Sequence, residues 1–187
     1  MKLVIYSLAI LLLILAAPLL RKVKVEYRTL DRLSPRTAIQ VWVLYIVLVV
    51  LAIWSALLTL WSIPLANWLA VAGGTILLIA GAALSAAGIA TFGSLERMSG
   101  TKTDRLITNG IYRWSRHPQN VGLGVALVGA ALIGRSAFTL LLAGLFWILF
   151  RIYLPMEEAF LRRTFGDAYQ RYRAETSPYF APPKELS

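Results

Sequence analysis

The chain has 187 residues, of which 58% are hydrophobic and only 15% charged, and its mean hydropathy is +0.68. Soluble domains carry about 25% charged residues, so the composition excludes an ordinary soluble domain and points to a membrane protein. No cysteine and a single histidine exclude disulfides and thiolate chemistry and argue against a His-cluster metal site, so no metal is expected.

The net charge of +10 could suggest a nucleic-acid partner. The basic residues, however, sit between long apolar runs rather than on one soluble face. That is a topology signal, with anionic lipid headgroups as the partner, and no nucleic acid is expected.

Leu3 to Leu20 is free of charge for 18 residues, enough to cross the roughly 30 Å hydrocarbon core. A signal peptide is the alternative. The thin basic flank at Lys2 and the length of the run favour a retained first helix. Arg21 to Arg36 is a basic connector, and Ser34-Pro35 reads as the cap and first residue of the next helix. Ala38 to Trp61 is the second span. Trp61 and Trp68 bracket a short interfacial turn, and Leu69 to Ala90 is the third span, rich in Gly, Ala and Ser.

Thr91 to Arg116 is a second polar connector, with a turn signal at Asn109-Gly110. Gln119 to Gly134 and Phe138 to Leu154 follow, joined by "GRSA", and read as two helices forming a tight hairpin. Gly122, Ala126, Ala130 and Gly134 recur every four residues, either as a close-packing stripe or as mere Gly/Ala richness. From Pro155 the chain turns amphipathic, with Phe165, Tyr169 and Tyr172 on one helical face.

Seventeen of the 19 Lys and Arg, counting Lys184, fall in the two connectors and the C-terminal segment; only Lys2 and Arg135 fall on the other side. The positive-inside rule then sets the N-terminus outside and the C-terminus in the cytoplasm of an inner or plasma membrane. The expected architecture is an all-α membrane protein of about five transmembrane helices, the last two a tight hairpin, with a cytosolic C-terminal helix. It forms a single integral membrane domain over 1–187. Residues 1–90 form three N-terminal spans, and 91–187 a cofactor-binding catalytic core.

Nearly all polar chemistry lies on that cytoplasmic side. Pro118 suits a helix start whose free amides favour an anion, with Arg116 and His117 adding donors just before it. Gly122 and Gly124 would let a flat ligand approach the backbone. An interfacial anchor gripping headgroups is the other reading. Glu157 and Glu158 diverge by about 100° on a helix, so they face different partners. Glu158 can pair with Arg162, while Glu157 could bind a cationic group or hydroxyls. Leu106 and Ile107 could wall an apolar cavity or seat the loop on the membrane. Covalent catalysis is a poor fit, and a reaction that needs only binding and orientation is a better one.

The order "NGIYRWSRHPQNVG", a helical hairpin, then "EEAFLRRTFGDAYQRY" resembles the isoprenylcysteine carboxyl methyltransferase family, within the broader group that includes phospholipid methyltransferases. The resemblance covers Leu106 to Tyr172. It implies S-adenosyl-L-methionine as cofactor and a lipid-like or prenylated acceptor, carboxylate or amine, entering from the bilayer. It also implies a cofactor site of Leu106, Ile107, Tyr112, His117, Pro118, Gln119, Asn120, Glu157 and Glu158. His117 and Glu157 are the expected catalytic groups, and Arg116 and Arg151 the expected substrate-side cations. Two positions depart from the family pattern. Asn120 stands where the family has tyrosine, and Tyr153 stands where the carboxyl methyltransferases have an arginine. A membrane reductase using NADPH and a non-catalytic lipid- or partner-binding protein are the competing functions.

Overall fold

The computed structural model describes residues 1–30, 32–93 and 95–183, apart from the side chain of Leu95. Lys184, counted above among the basic residues, lies outside them. Among the described residues the secondary structure is helical: α1 (Lys2–Thr29), α2 (Pro35–Leu57), α3 (Asn67–Phe92), a short α4 (Leu95–Met98), a 3-10 turn (Gly110–Arg113), α5 (Pro118–Ile133) and α6 (Ala137–Glu175). Four of these, α1, α2, α3 and α6, are long and apolar enough to cross a membrane. The 16 residues of α5 reach about 24 Å, making it a fifth, shorter apolar helix.

Local sequence explains the helix ends. Ser34 caps α2 by accepting from the Thr37 amide, with Pro35 in the first turn where its missing N–H costs nothing. The Glu26 carboxylate of α1 accepts from the Ser34 amide at 2.9 Å and from the Thr37 hydroxyl at 2.5 Å. A carboxylate at a helix N-terminus is favoured by the dipole, so Glu26 ties α1 to α2. At the opposite end, Ser136 caps α6 and its hydroxyl donates to the Leu60 carbonyl at 2.7 Å.

α5 and α6 are joined by the short 134–136 connection as expected, and the most closely packed helix pair is α3 with α5. They run antiparallel with glycines in the seam. A Cβ built on Gly81 would lie 2.5 Å from the Gly122 carbonyl and the Ala126 amide. Gly74 meets Gly129 and Ile133 in the same way, and Gly88 meets Pro118 and Gln119. Positions 74, 81 and 88 repeat every seven residues, a coiled-coil-like spacing closed down to backbone contact. The stripe expected every four residues is therefore only half in this seam. Gly122 and Ala126 belong to it, while Gly134 abuts Ala56 of α2. Gly122 and Gly124 serve packing rather than ligand approach, since a Cβ at Gly124 would strike the Trp147 ring of α6 at 2.5 Å.

Helix α6 does not stop at Pro155. It continues until Gly166, whose backbone (φ 54, ψ −128) is non-helical and reorients the chain. The last turns then fold back, burying Tyr169 and Tyr172 against Tyr112 in a cluster with Leu106, Ile107 and Phe165. The tail straps the same end, with the Arg116 amide donating to Ser177 and the Ala181 amide to Trp114.

Candidate functional site

The ends of α1, α3 and α6 and the start of α5 meet the 95–117 segment at one pole of the bundle. They enclose a cavity of about 680 Å³, counting its open mouth. Leu106, Ile107, Phe92 and Leu161 form an apolar wall. Tyr112, His117, Gln119 and Glu157 give it polar groups, and Arg97, Lys102 and Arg105 also line it.

Tyr112 and Gln119 are tied together. The Tyr112 hydroxyl donates to Gln119 Oε1 at 2.7 Å, and the Tyr172 hydroxyl donates to the Tyr112 carbonyl at 2.8 Å. Burial pushes the Tyr112 hydroxyl pKa well above its ordinary value, so it stays a neutral donor. Across the roof, Arg97 grips Asp104 with two hydrogen bonds of 2.7 and 2.8 Å. That contact holds the Asp104 carboxyl well below the usual carboxylate range.

His117 is 3% exposed and packs edge-on against Phe150. Its Nδ1 lies 3.5 Å from Glu157 Oε2, and its Nε2 lies 3.9 Å from Glu158 Oε1, too far for a hydrogen bond. Among the described residues, two buried side-chain polar atoms have no partner: His117 Nε2 and the Tyr169 hydroxyl. Both residues line this one cavity. Buried polar atoms are nearly always satisfied, so these two stand out on the wall of the cavity.

A second cavity, about 850 Å³ counting the open space at its mouth, lies between α2, α3, α5 and α6. Val41, Trp42, Ile89 and Leu123 make it largely apolar, and Tyr45, Asn120 and Tyr153 add neutral polar groups. Gln119 and Glu157 line both cavities and mark where they meet.

With this geometry in place, the similarities to known proteins become specific. The phospholipid methyltransferase family profile matches residues 69–168, more than half of the chain. The chain belongs to the phospholipid methyltransferase family. The match runs from α3 into α6 and takes in every expected site residue. The protein-S-isoprenylcysteine O-methyltransferase of Schizosaccharomyces pombe is 36% identical over 84 residues, 44% of this chain and 36% of that protein. Probable protein-S-isoprenylcysteine O-methyltransferases of the indica and japonica subspecies of Oryza sativa are each 40% identical over 73 residues, 36% of either chain. The matched part thus covers about a third of the length of these relatives. No solved structure matches.

Of the residues the sequence singled out for this family's site, Leu106, Ile107, Tyr112, Arg116, His117, Gln119 and Glu157 converge on the first cavity. Asn120 faces the second. Pro118 instead packs near Gly88. The two glutamates approach opposite nitrogens of the same His117 ring, at 3.5 and 3.9 Å, rather than facing wholly separate partners, and Glu158 pairs with Arg116 rather than Arg162. Arg116 donates to Glu158 Oε1 from Nη2 at 2.6 Å and Nε at 2.9 Å, and from Nη1 to the carbonyls of Arg173 and Thr176. Glu158 therefore anchors Arg116, and the Arg116 guanidinium is committed to protein groups. Arg151 is exposed and donates to the Tyr179 hydroxyl at 2.7 Å, lining neither cavity. Tyr27 and Tyr169 were missed. Tyr27 sits on α1, far from every motif, and spacing carried no signal for it. Tyr169 was visible only as one residue of an aromatic face.

Proposed function

We propose that the chain is an integral membrane methyltransferase that uses S-adenosyl-L-methionine to methylate a lipid-like acceptor at the cytoplasmic membrane face. Membership of the phospholipid methyltransferase family and the names of the relatives support the reaction class. The observation that carries the site is the pair of unpartnered buried atoms, His117 Nε2 and the Tyr169 hydroxyl, in one cavity with Glu157.

The donor set suits the cofactor. Leu106, Ile107 and Phe92 offer an apolar wall for an adenine ring. Glu157 and Gln119 suit hydroxyl or cationic groups, and Lys102 and Arg105 line the same cavity for a carboxylate, while Arg97 is engaged by Asp104. When bound, the cofactor supplies an activated methyl group on a sulfonium. The protein has to align the acceptor with it and exclude water, which requires no covalent intermediate on the enzyme. The second cavity would bring the acceptor to Glu157 and Gln119, where the two cavities join. Glu157 and His117 are the groups placed to manage a proton there. The excess of basic residues at this pole supports a cytoplasmic orientation, and residues 91–187 act as the catalytic core on an N-terminal three-helix support.

Calorimetry of the purified chain with S-adenosylhomocysteine tests this reading. The expected result is binding that His117→Ala and Glu157→Ala each weaken at least tenfold, about 1.4 kcal/mol. Binding of NADPH in its place would establish the reductase alternative. Unchanged affinity in both variants would move the site elsewhere.

A further inference from the structure

A groove that belongs to neither cavity runs between α1 and α2. It holds about 1100 Å³ counting its open side. Leu12, Leu19, Leu44 and Val47 form a buried or half-buried floor, with Leu15 and Val43 as exposed rims. None of its lining residues lines either cavity, and both helices precede the family-matched segment 69–168.

The groove is apolar along its length and charged at one end. Lys22 is half-buried there, and its ammonium donates across the two helices to Gln40 Oε1 at 3.0 Å. Arg36 is exposed and precedes Gln40 by four residues, which sets it one turn further out on the same face of α2. The nearest carboxylate along α1, that of Glu26, already accepts from the Ser34 amide and from the Ser34 and Thr37 hydroxyls. The hydrogen-bond partner of Lys22 is thus a neutral amide, which leaves room for an anion beside it. From Leu8 to Lys22 the groove follows α1 for about 21 Å at 1.5 Å per residue. One leaflet is roughly 15 Å deep, half of the hydrocarbon core, so the groove takes the full length of a lipid tail.

Any apolar tail could lie on this floor, and the charged end decides which lipid is preferred. Basic pockets between membrane helices hold phosphate headgroups, and each Lys or Arg at the surface is worth about 1 kcal/mol toward an anionic lipid. A choline headgroup would set its own cation beside Lys22 and Arg36, whereas a glycerol headgroup leaves the phosphate charge to them. A second copy of the chain suits the groove less well. A two-fold axis along the membrane normal would bring its Lys22 and Arg36 to the same level, like charge against like charge. We propose that the groove holds one anionic phospholipid, an acyl chain on the floor and the phosphate on Lys22, as a structural lipid that clamps α1 to α2 and not as a methyl acceptor. This site is independent of the methyltransferase reading.

The test is native mass spectrometry of the full chain released from mixed micelles with equal amounts of phosphatidylglycerol and phosphatidylcholine of identical acyl chains. The expected result is one retained phosphatidylglycerol per chain, favoured about fivefold or more over phosphatidylcholine. Lys22→Met keeps an apolar stem, loses the charge and should bring that preference close to unity. Lys24→Met removes an exposed cation outside the groove and should leave the preference unchanged. Val43→Trp fills the groove and should abolish retention of both lipids with helical content unchanged. Retention of no lipid by the parent chain, equal retention of the two lipids, or an equal loss of preference in Lys22→Met and Lys24→Met overturns the proposal. So does a dimer that Val43→Trp dissociates, because the groove would then be an interface between copies of the chain.

Discussion

Tyr27 and Tyr153 lie 126 residues apart and meet hydroxyl to hydroxyl at 2.8 Å. Tyr27 lines the first cavity and Tyr153 the second, so this contact is part of the wall between them. Tyr27 also stacks on Phe160 with ring centroids 4.8 Å apart. A Cβ on Gly100 would lie 3.1 Å from its hydroxyl, so the roof segment closes onto the same side chain. The first helix, outside the family-matched segment, thereby contributes a side chain to the first cavity.

Removing one hydroxyl of this pair strands the other. Tyr27→Phe and Tyr153→Phe should each destabilise the protein by about 1 kcal/mol, the usual net worth of a hydrogen bond. The double variant should cost less than the sum, because no partner is left unsatisfied. Denaturation in detergent across the four proteins measures this, and strict additivity would show that the contact carries no coupling energy.

Backbone contact makes the α3–α5 seam intolerant of even one methyl group. Gly81→Ala should destabilise by about 1–3 kcal/mol, because the obstructing atoms are helix backbone and cannot rotate away. Gly73, on the same helix, has nothing within 4 Å of a built Cβ, and Gly73→Ala should be neutral or slightly stabilising. Equal melting shifts in the two variants would argue against the seam.

Arg116 and Glu158 are 7% and 13% exposed at the side chain, and without Arg116 the Glu158 carboxylate keeps only the more distant Arg173 Nε at 3.5 Å. Arg116→Ala should cost about 3 kcal/mol or more and loosen the 177–181 strap. Arg116→Lys should recover little, because one ammonium cannot reproduce the fork that reaches Glu158 and two carbonyls. Stability and hydrogen exchange of the tail read this out, and full recovery by lysine would contradict the fork geometry.

The limits of sequence reading show at these same residues. Ser34-Pro35 and Ser136 announce helix starts because capping is local, acting within three or four residues. The spans and the convergence of Leu106, Tyr112, His117 and Glu157 on one cavity were legible from hydropathy and ordered motifs. The partner of Glu158 was not, since Arg162 offered a local ion pair while the arginine it finds is 42 residues away. The seven-residue glycine spacing of α3 hid behind the four-residue spacing of α5, because a seam is a property of two helices. Tyr27 left no trace because the α1 and α6 tyrosines become neighbours only in the assembled bundle.

Asp104 lets the roof be probed with pH. Its carboxyl is held low by Arg97, so its contribution is present above the ordinary carboxylate pKa near 4 and fades as pH falls through the lower folded value. Hydrogen exchange over residues 97–106, corrected for intrinsic rates, should therefore be steady from pH 8 to about pH 5 and rise only below about pH 4. In Asp104→Asn that acid-dependent step should vanish. Its persistence would assign the acid response to another group.

Gly166 ties the backbone to the site most directly. Its φ of 54 with ψ of −128 suits glycine, and nothing lies within 4 Å of a built Cβ, so any penalty for a side chain there is backbone strain rather than collision. Gly166→Ala should carry about 1–3 kcal/mol of that strain or release it by straightening α6. Straightening would withdraw Tyr169 and Tyr172 from Tyr112 and open the first cavity while leaving the five apolar helices intact. The expected signature is S-adenosylhomocysteine affinity reduced at least tenfold with helical content unchanged by circular dichroism. Serine should behave like alanine, since both share the Cβ. A variant that keeps wild-type affinity would show that the fold-back of α6 does not build the pocket.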